Sequence, residues 1–345
     1  MYEKDLDDLV AMSVRAGNLV DYVQAGGGNT SVKFADGYMA IKASGYFLKE
    51  MTTHSGFVVV SGEKMKAYHY ETQDEDIDFN KESMEIAMST IKQINNEVIA
   101  RPSVEVGFHS ILDKFVLHLH PVYVNVLMCS TGGVEKALNI TKACDLDAVA
   151  IPYTMPGYEL TVLIAKELAT YQERNGRKPK IIFLENHGVI TTGETREEAE
   201  QLMDRVNEAI RDELGLPKMP VPGIKPYKDG FCSTCNWMID VVKENEELVQ
   251  AVRYEAIYPD QLVYTANEMS VDGSEEGKIV IANGQIVYHA KEKEAMALEE
   301  VMVALFYVYY YIKKSGLAYK KLDKSECAKV LGWDSEKYRK SLMET

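Results

Sequence analysis

Short apolar segments alternate with longer segments of helical periodicity between residues 115 and 214. The apolar segments are typical of strands, and Thr195 with Glu198 forms a capping box at the start of the last helical segment. The predicted strands cover 115–120, 147–152, 181–184 and 189–192, and the predicted helices cover 121–130, 160–171 and 195–214. This alternation favours an α/β fold.

The N-terminal part of the chain adds a helix and a hairpin to this pattern. Apolar residues recur at helical spacing from Leu6 to Val20, and the pattern stops at the glycine run 26–28. Alternating segments at 30–34 and 38–42 flank Asp36-Gly37, a dipeptide suited to a tight hairpin turn. An acidic cluster at 71–78 predicts a solvated loop, and a helix is predicted over 81–94.

Prolines crowd the interval 217–226, which cannot continue a helix and therefore marks a boundary near residue 220. We expect one domain over 1–219 and a smaller accessory α+β region over 220–345. In the second region, segments 262–264, 278–282 and 285–289 predict a small sheet, with Asn283-Gly284 as a hairpin turn. Helices are predicted over 295–313 and 335–343.

Composition and charge limit the functional class. Hydrophobic residues make up 46% and charged residues 26% of the 345 residues, as in ordinary globular proteins. The formal net charge of -15 repels phosphate backbones, so nucleic acid is not an expected partner. Five cysteines do not form a disulfide framework, and the N-terminus lacks a secretory pattern, so we expect a cytoplasmic protein. The apolar segment 301–312 is shorter than the ~20 residues of a membrane span, which predicts a buried helix.

Two histidines on one predicted strand indicate a metal site. His118 and His120 are separated by one residue, so their side chains point to the same face of the strand. His187 lies between Asn186 and Gly188, at a bend that can aim a third imidazole into a cleft. Imidazole suits zinc and neighbouring transition metals. The alternative is a set of buried histidines that hydrogen-bond within the protein.

Five segments together resemble the class II aldolase and adducin family in order and spacing. They are Gly27-Gly28-Asn29-Thr30-Ser31, Lys42-Ala43-Ser44-Gly45, Arg101-Pro102-Ser103-Val104-Glu105, His118-Leu119-His120-Pro121 and Asn186-His187-Gly188. The resemblance spans roughly residues 5–215 and looks closest to L-rhamnulose-phosphate aldolases of the type fused to a short-chain dehydrogenase, without the dehydrogenase half. It implies a layered α/β fold with a central mixed, largely antiparallel sheet flanked by helices.

The same resemblance implies that His118, His120 and His187 bind Zn²⁺ or another divalent metal, and that Glu105 acts as acid and base. The implied reaction is the reversible cleavage of a ketose 1-phosphate to dihydroxyacetone phosphate and an aldehyde. Alternatives are a sugar-phosphate 4-epimerase, a sugar-acid decarboxylase or a non-catalytic scaffold like adducin. Relatives are commonly tetramers, so a homotetramer is expected. Taken alone, Glu105 would be interpreted as a solvated charge or as a charge at a helix N-terminus.

The resemblance also implies a phosphate site. Backbone N–H groups of a glycine run can approach an anion closely. The implied phosphate-binding residues are Gly28, Asn29, Ser44, Gly45 and Ser103. Taken alone, the glycine run is equally a plain helix stop. Some relatives have a second serine at the position of Val104, and the side chain of valine cannot donate a hydrogen bond to a phosphate. Lys42 compensates for this loss or is simply solvated.

Tyr153 matches a tyrosine that in relatives reaches a neighbouring subunit's site and can protonate the leaving aldehyde. The alternative for Tyr153 is a packed ring with its hydroxyl at the surface. Cys232 and Cys235 form a C-x-x-C pair, but no second pair or nearby histidine completes a zinc knuckle, so we expect a structural role. No role is assigned to His54, His69, His109 or His289.

Overall fold

A computed structural model describes residues 2–70, 78–94, 100–266, 268–271 and 277–332. Its larger sheet has seven strands, which are β1 (Asn29–Lys33), β2 (Tyr38–Lys42), β3 (Phe57–Ser61), β4 (Phe115–Leu119), β5 (Ala148–Ile151), β6 (Ile181–Leu184) and β7 (Gly188–Gly193). They are ordered β3-β2-β1-β4-β7-β6-β5. Only the pair β5 and β6 is parallel, so the mixed, largely antiparallel sheet is confirmed.

Helices cover both faces of this sheet. They are α1 (Glu3–Gly17), α2 (Gly62–Tyr70), α3 (Phe79–Ser89), α4 (Val106–Ile111), α5 (Val122–Met128), α6 (Gly133–Ala143), α7 (Tyr158–Asn175) and α8 (Arg196–Glu213). Along β4, Leu117 contributes to the core that α1 and α8 cover, whereas Val116 packs in the core with α4 and α7. Because side chains alternate along a strand, His118 points to the same face as Val116.

The C-terminal region is built around a second, five-stranded sheet. Its elements are β8 (Ile224–Tyr227), β9 (Gly230–Ser233), α9 (Asn236–Glu244), α10 (Glu246–Tyr254), α11 (Pro259–Thr265), β10 (Met269–Ser270), β11 (Ile279–Ala282), β12 (Gln285–Tyr288), α12 (Glu292–Lys314) and α13 (Lys324–Gly332). The strands are ordered β10-β11-β12-β9-β8. The predicted hairpin across Asn283-Gly284 is confirmed, and both turn residues have positive φ.

The two regions share one hydrophobic cluster. Val122 and Val126 from α5 belong to the same buried cluster as most of α12, including Leu305 and Phe306. By length and composition α12 is also the one helix in the described ranges that would be able to cross a membrane, but 89% of its most apolar window is buried inside the protein. The prediction of a buried helix over 301–312 is therefore confirmed.

Some sequence predictions need correction. Residues 262–264 were expected in a strand, but they lie in α11, which Pro259 begins at its first turn. All seven residues of this short helix are buried, so their apolar run carries no helical periodicity. The helix predicted over 81–94 runs over Phe79–Ser89. The helix predicted over 335–343 and nearly all of the acidic segment 71–78 lie outside the described residues.

Candidate metal centre

Strand β4 and the turn before β7 bring three histidines together. The pairing of Leu119 with Val189 places residues 186 and 187 beside the end of β4. Asn186 adopts a left-handed conformation with φ of 52°, and its side chain donates hydrogen bonds to the carbonyl oxygens of Ile257 and Lys320 at 2.7 and 2.6 Å. The turn that carries His187 is thus held by backbone atoms of the C-terminal region.

The Nε2 atoms of the three imidazoles converge on one point. Nε2 of His118 lies 3.2 Å from Nε2 of His120 and 3.3 Å from Nε2 of His187. All three ligand atoms lie within 4.8 Å of one another, and all three residues are buried. A tetrahedral ion with Zn–N bonds of ~2.0–2.1 Å requires its nitrogen ligands to be about 3.3 Å apart. Two of the separations match this requirement.

The hydrogen bonds of Nδ1 in His118 and His120 show which ring nitrogens carry protons. Nδ1 of His118 lies 3.2 Å from the carbonyl oxygen of Val189, which can only accept, so Nδ1 carries the proton. Nδ1 of His120 lies 2.6 Å from the carboxylate of Asp260 and donates to it in the same way. Burial lowers the pKa of His118 to about 4, which keeps that ring neutral near pH 7. When both rings are neutral, their Nε2 atoms present lone pairs to each other, an arrangement that a cation between them satisfies.

Glu105 supplies a carboxylate beside the three imidazoles. It is the residue before α4, and its Oε1 atom lies 3.5 Å from Nε2 of His118 and 3.7 Å from Nε2 of His187. This oxygen is buried and has no hydrogen-bond partner in the described part of the chain. A buried carboxylate oxygen without a donor is costly unless a cation or a substrate hydroxyl completes its surroundings. Three converging imidazoles with a carboxylate beside them therefore fit a divalent metal of the zinc type.

A hydrogen-bonded chain of side chains holds the other oxygen of Glu105. Oε2 of Glu105 accepts from Nδ2 of Asn29, which also donates to Ser103 Oγ at 3.2 Å. Asn29 is paired directly with His118 across β1 and β4, so both side chains lie on one face of the sheet. Nε2 of His109 donates to Oδ1 of Asn29, and Nδ1 of His109 lies 2.7 Å from Ser31 Oγ. The amide of Asn29 is thereby oriented with its NH₂ group towards Glu105.

The sequence analysis missed two members of this site. His109 was given no role, although its spacing of four residues from Glu105 is the spacing at which two side chains share a helix face. Asp260 lies in the segment Tyr258-Pro259-Asp260-Gln261, which resembles the tail of the aldolase portion, but it was given no role because its partner His120 lies 140 residues away. Both residues are buried.

One cleft contains most of the residues predicted for substrate and metal. It is lined by Gly28, Asn29, Ser44, Ser103, Glu105, His120 and His187. Its other lining residues include Val104, Pro259, Val263 and Val330, so α11 and α13 form part of its wall. Gly45 follows Ser44 with φ of 85°. The amide of Asn29 is already engaged by Glu105 and Ser103, which makes it a holder of the carboxylate as well as a lining group.

Lys42 is a buried part of the cleft and is not solvated. Its Nζ atom donates to the carbonyl oxygens of Gly26 and Gly28 at 2.6 and 2.9 Å, and the side chain lines the cleft. The ammonium group thus fixes the turn formed by glycines 26–28, here called the glycine turn, and places a positive charge beside the cleft. A positive charge with few routes to solvent favours an anionic ligand.

Tyr153 is partly buried and packs beside Met155 within this chain. Its hydroxyl contacts the sulfur of Met155 at 3.8 Å, and its ring packs against the cluster that contains α12. Burial raises the pKa of Tyr153 above its ordinary value. It is not among the residues that line the cleft described above. Cys232 and Cys235 are both buried and carry free thiols.

Comparison with known proteins identifies the family. Residues 8–214 match the Class II Aldolase and Adducin N-terminal domain. The Uncharacterized oxidoreductase YuxG of Bacillus subtilis (strain 168) is 27% identical over 304 residues, which cover 76% of this chain but 41% of that protein. The N-terminal class II aldolase domain of a conserved protein from Thermoplasma acidophilum shares the fold, with 23% identity, a TM-score of 0.50 and coverage of 61% of this chain and 93% of that one. The family match covers more than half of the 345 residues, and the chain therefore belongs to the class II aldolase and adducin family.

Proposed function

We propose that this protein is a metal-dependent aldolase that reversibly cleaves a ketose 1-phosphate into dihydroxyacetone phosphate and an aldehyde. The observation that carries the proposal is the position of Glu105 Oε1, which is buried without a hydrogen-bond partner in the described residues and lies 3.5 and 3.7 Å from two of three converging imidazole nitrogens. A non-catalytic scaffold has no need for such a costly arrangement. The site therefore supports an enzyme over an adducin-like role.

His118, His120 and His187 would hold the metal, and zinc is the ion we favour. When bound, such an ion supplies Lewis-acid stabilisation for negative charge on the substrate's oxygens. With three protein nitrogens as ligands, such an ion would keep a position for a substrate atom. The metal's identity is part of the proposal.

Glu105 would move the proton that the reaction requires. In the cleavage, the hydroxyl on the carbon that becomes the aldehyde loses its proton, and the broken carbon-carbon bond leaves its electron pair on the fragment that becomes dihydroxyacetone phosphate, which gains a proton. Oε1 of Glu105 faces the imidazole cluster, whereas Oε2 is fixed by Asn29. The carboxylate is therefore held in one orientation with its second oxygen available for this transfer.

The phosphate would lie among Gly28, Ser44, Gly45 and Ser103, with Asn29 beside them and Lys42 behind the glycine turn. The engagement of Asn29 by Glu105 and of Lys42 by the turn carbonyls leaves backbone N–H groups and the hydroxyls of Ser44 and Ser103 as the principal donors. Four expectations stay predictions. They are the role of Tyr153 as a proton donor to the aldehyde at a neighbouring subunit's site, the homotetramer, the cytoplasmic location and the closeness to L-rhamnulose-phosphate aldolases.

Glu105→Gln tests the catalytic proposal. Zn²⁺-loaded protein is incubated with a panel of ketose 1-phosphates, and dihydroxyacetone phosphate is measured by a coupled assay, with NMR identification of all products. We expect cleavage by the unchanged protein and a loss of about 10²–10⁴-fold in turnover in Glu105→Gln with Zn²⁺ still bound. The exposed Glu135→Gln is the matched control. Full activity of Glu105→Gln, or release of an epimer or of carbon dioxide in place of an aldehyde, would contradict the proposal.

A further inference from the structure

A carboxylate from the C-terminal region contacts one of the three metal-site histidines. Oδ2 of Asp260 lies 2.6 Å from Nδ1 of His120, and both residues are buried, with 7% and 5% of their surfaces exposed. Asp260 is the second residue of α11, whereas His120 directly follows β4. The contact therefore joins two regions that are 140 residues apart in sequence.

The glycine turn leaves room for this carboxylate. A Cβ atom at Gly27 would lie 2.7 Å from Oδ2 of Asp260 and 3.4 Å from Nδ1 of His120. Any larger residue at position 27 would push the carboxylate or the imidazole away from its present position. The absence of a side chain at Gly27 is thus explained by the contact between Asp260 and His120.

Helix α11 is held in place at several points. The side-chain amide of Gln261 donates to the carbonyl oxygen of Val252 at 2.7 Å, and its Oε1 atom accepts from the N–H of Ile257 at 3.0 Å. The hydroxyl of Tyr264 accepts from the N–H of Gly26 at 2.9 Å. The Gln261 bonds tie α11 to the residues that precede it, and the Tyr264 bond fixes α11 against the glycine turn, so the position of Asp260 does not depend on a mobile side chain alone.

We propose that Asp260 is a positioning residue for His120 and that the C-terminal region is thereby part of the metal site. A hydrogen bond from Nδ1–H to a carboxylate fixes the imidazole tautomer and ring orientation, and its negative charge makes Nε2 a stronger ligand. His118 has a neutral carbonyl oxygen in the corresponding place. The carboxylate therefore gives His120, unlike His118, a ligand strength that is set from the C-terminal region. This inference rests on the metal site of the proposed function but not on the reaction.

Metal affinity of the 345-residue chain tests the inference without any activity measurement. Zn²⁺ is titrated against a chromophoric chelator, and the visible absorption spectrum of the Co²⁺-loaded protein is recorded. We expect Asp260→Ala to weaken Zn²⁺ binding by about 10–100-fold and to shift the Co²⁺ bands. Asp260→Asn keeps an oxygen acceptor but not the charge, so its affinity should fall between those of Asp260→Ala and the unchanged protein. Asp240→Ala, an exposed aspartate of α9, is the control.

The outcomes separate this inference from the proposed function. If the unchanged protein binds Zn²⁺ and both Asp260 variants match its affinity and Co²⁺ spectrum, the role of Asp260 is overturned and the aldolase proposal stands. If the unchanged protein binds neither ion, both proposals are overturned. Circular dichroism verifies that the variants fold, and Asp260→Asn, which preserves the shape of the side chain, carries the test if Asp260→Ala does not fold.

Discussion

Asn29→Ala should damage turnover far more than metal binding. The Asn29 side chain donates to Oε2 of Glu105 and to Ser103, and it accepts from Nε2 of His109. Its hydrogen bonds in the described part of the chain do not go to the three metal-site imidazoles. Truncation therefore releases the carboxylate of Glu105 and leaves the N–H of His109 without its acceptor, while the convergence of the imidazoles stays intact.

The size of the effect follows from these bonds. The hydrogen bond to a charged carboxylate contributes ~1.5–3 kcal/mol, and the two neutral bonds contribute ~0.5–1.5 kcal/mol each. Because Asn29 lines the cleft, water can replace part of this loss, so we expect the free energy of unfolding to fall by about 3 kcal/mol. A displacement of Glu105 by ~1 Å would lower turnover by about 10²-fold.

Three measurements check this prediction. Urea unfolding gives the stability, chelator competition gives the Zn²⁺ affinity and the cleavage assay gives turnover. Asn175→Ala, at an exposed helix end, is the control and should change stability by no more than ~0.5 kcal/mol. The reasoning is refuted if Asn29→Ala retains the stability and turnover of the unchanged protein. It is also refuted if Zn²⁺ affinity falls as steeply as turnover, because the network would then position the imidazoles and not Glu105.

Two further predictions concern pH and the turn beside His187. Burial lowers the pKa of His118 to about 4 and that of His109 well below its ordinary value, so the unfolded chain binds more protons than the folded one below pH ~6.5. The free energy of unfolding of the metal-free protein should therefore fall as pH drops from ~6.5 towards 4, and His118 should contribute up to about 3 kcal/mol of this fall. Urea unfolding in the presence of a chelator at several pH values measures it. The prediction is contradicted if the free energy of unfolding of His118→Asn depends on pH as steeply as that of the unchanged protein. Gly188→Ala places a Cβ atom 2.3 Å from the Leu119 carbonyl oxygen and 2.9 Å from Cδ2 of His120, so we expect a loss of ~1–3 kcal/mol in stability and weaker Zn²⁺ binding. Gly332→Ala, where a Cβ meets no atom of the described residues within 4 Å, should change neither. Equal behaviour of the two variants in thermal unfolding and chelator competition would disprove the clash.

The features of the site and fold that depend on neighbouring residues could be predicted from the sequence. His118 and His120 alternate along a strand, which by itself places both imidazoles on one face. The helical spacing that ends in a glycine run, the Asp36-Gly37 and Asn283-Gly284 turns and the capping box at Thr195 each depend on contacts within a few residues. The corresponding helices and hairpins are present in the structure. The bend at Asn186-His187-Gly188 indicated His187 as the third imidazole, and the family resemblance added Glu105. The structure brings both residues to the same buried cluster.

Only the tertiary structure decided what surrounds these groups. Asp260 reaches His120 across 140 residues, and His109 reaches Glu105 through Asn29, because the pairing of β1 with β4 sets Asn29 opposite His118. Such contacts depend on register and on the docking of α11, and no local spacing encodes either. The misassignment of 262–264 has the same origin, since burial on all sides removes the periodicity by which a helix is read. The sequence determined which side chains can bind a metal, and long-range packing decided how each one is oriented.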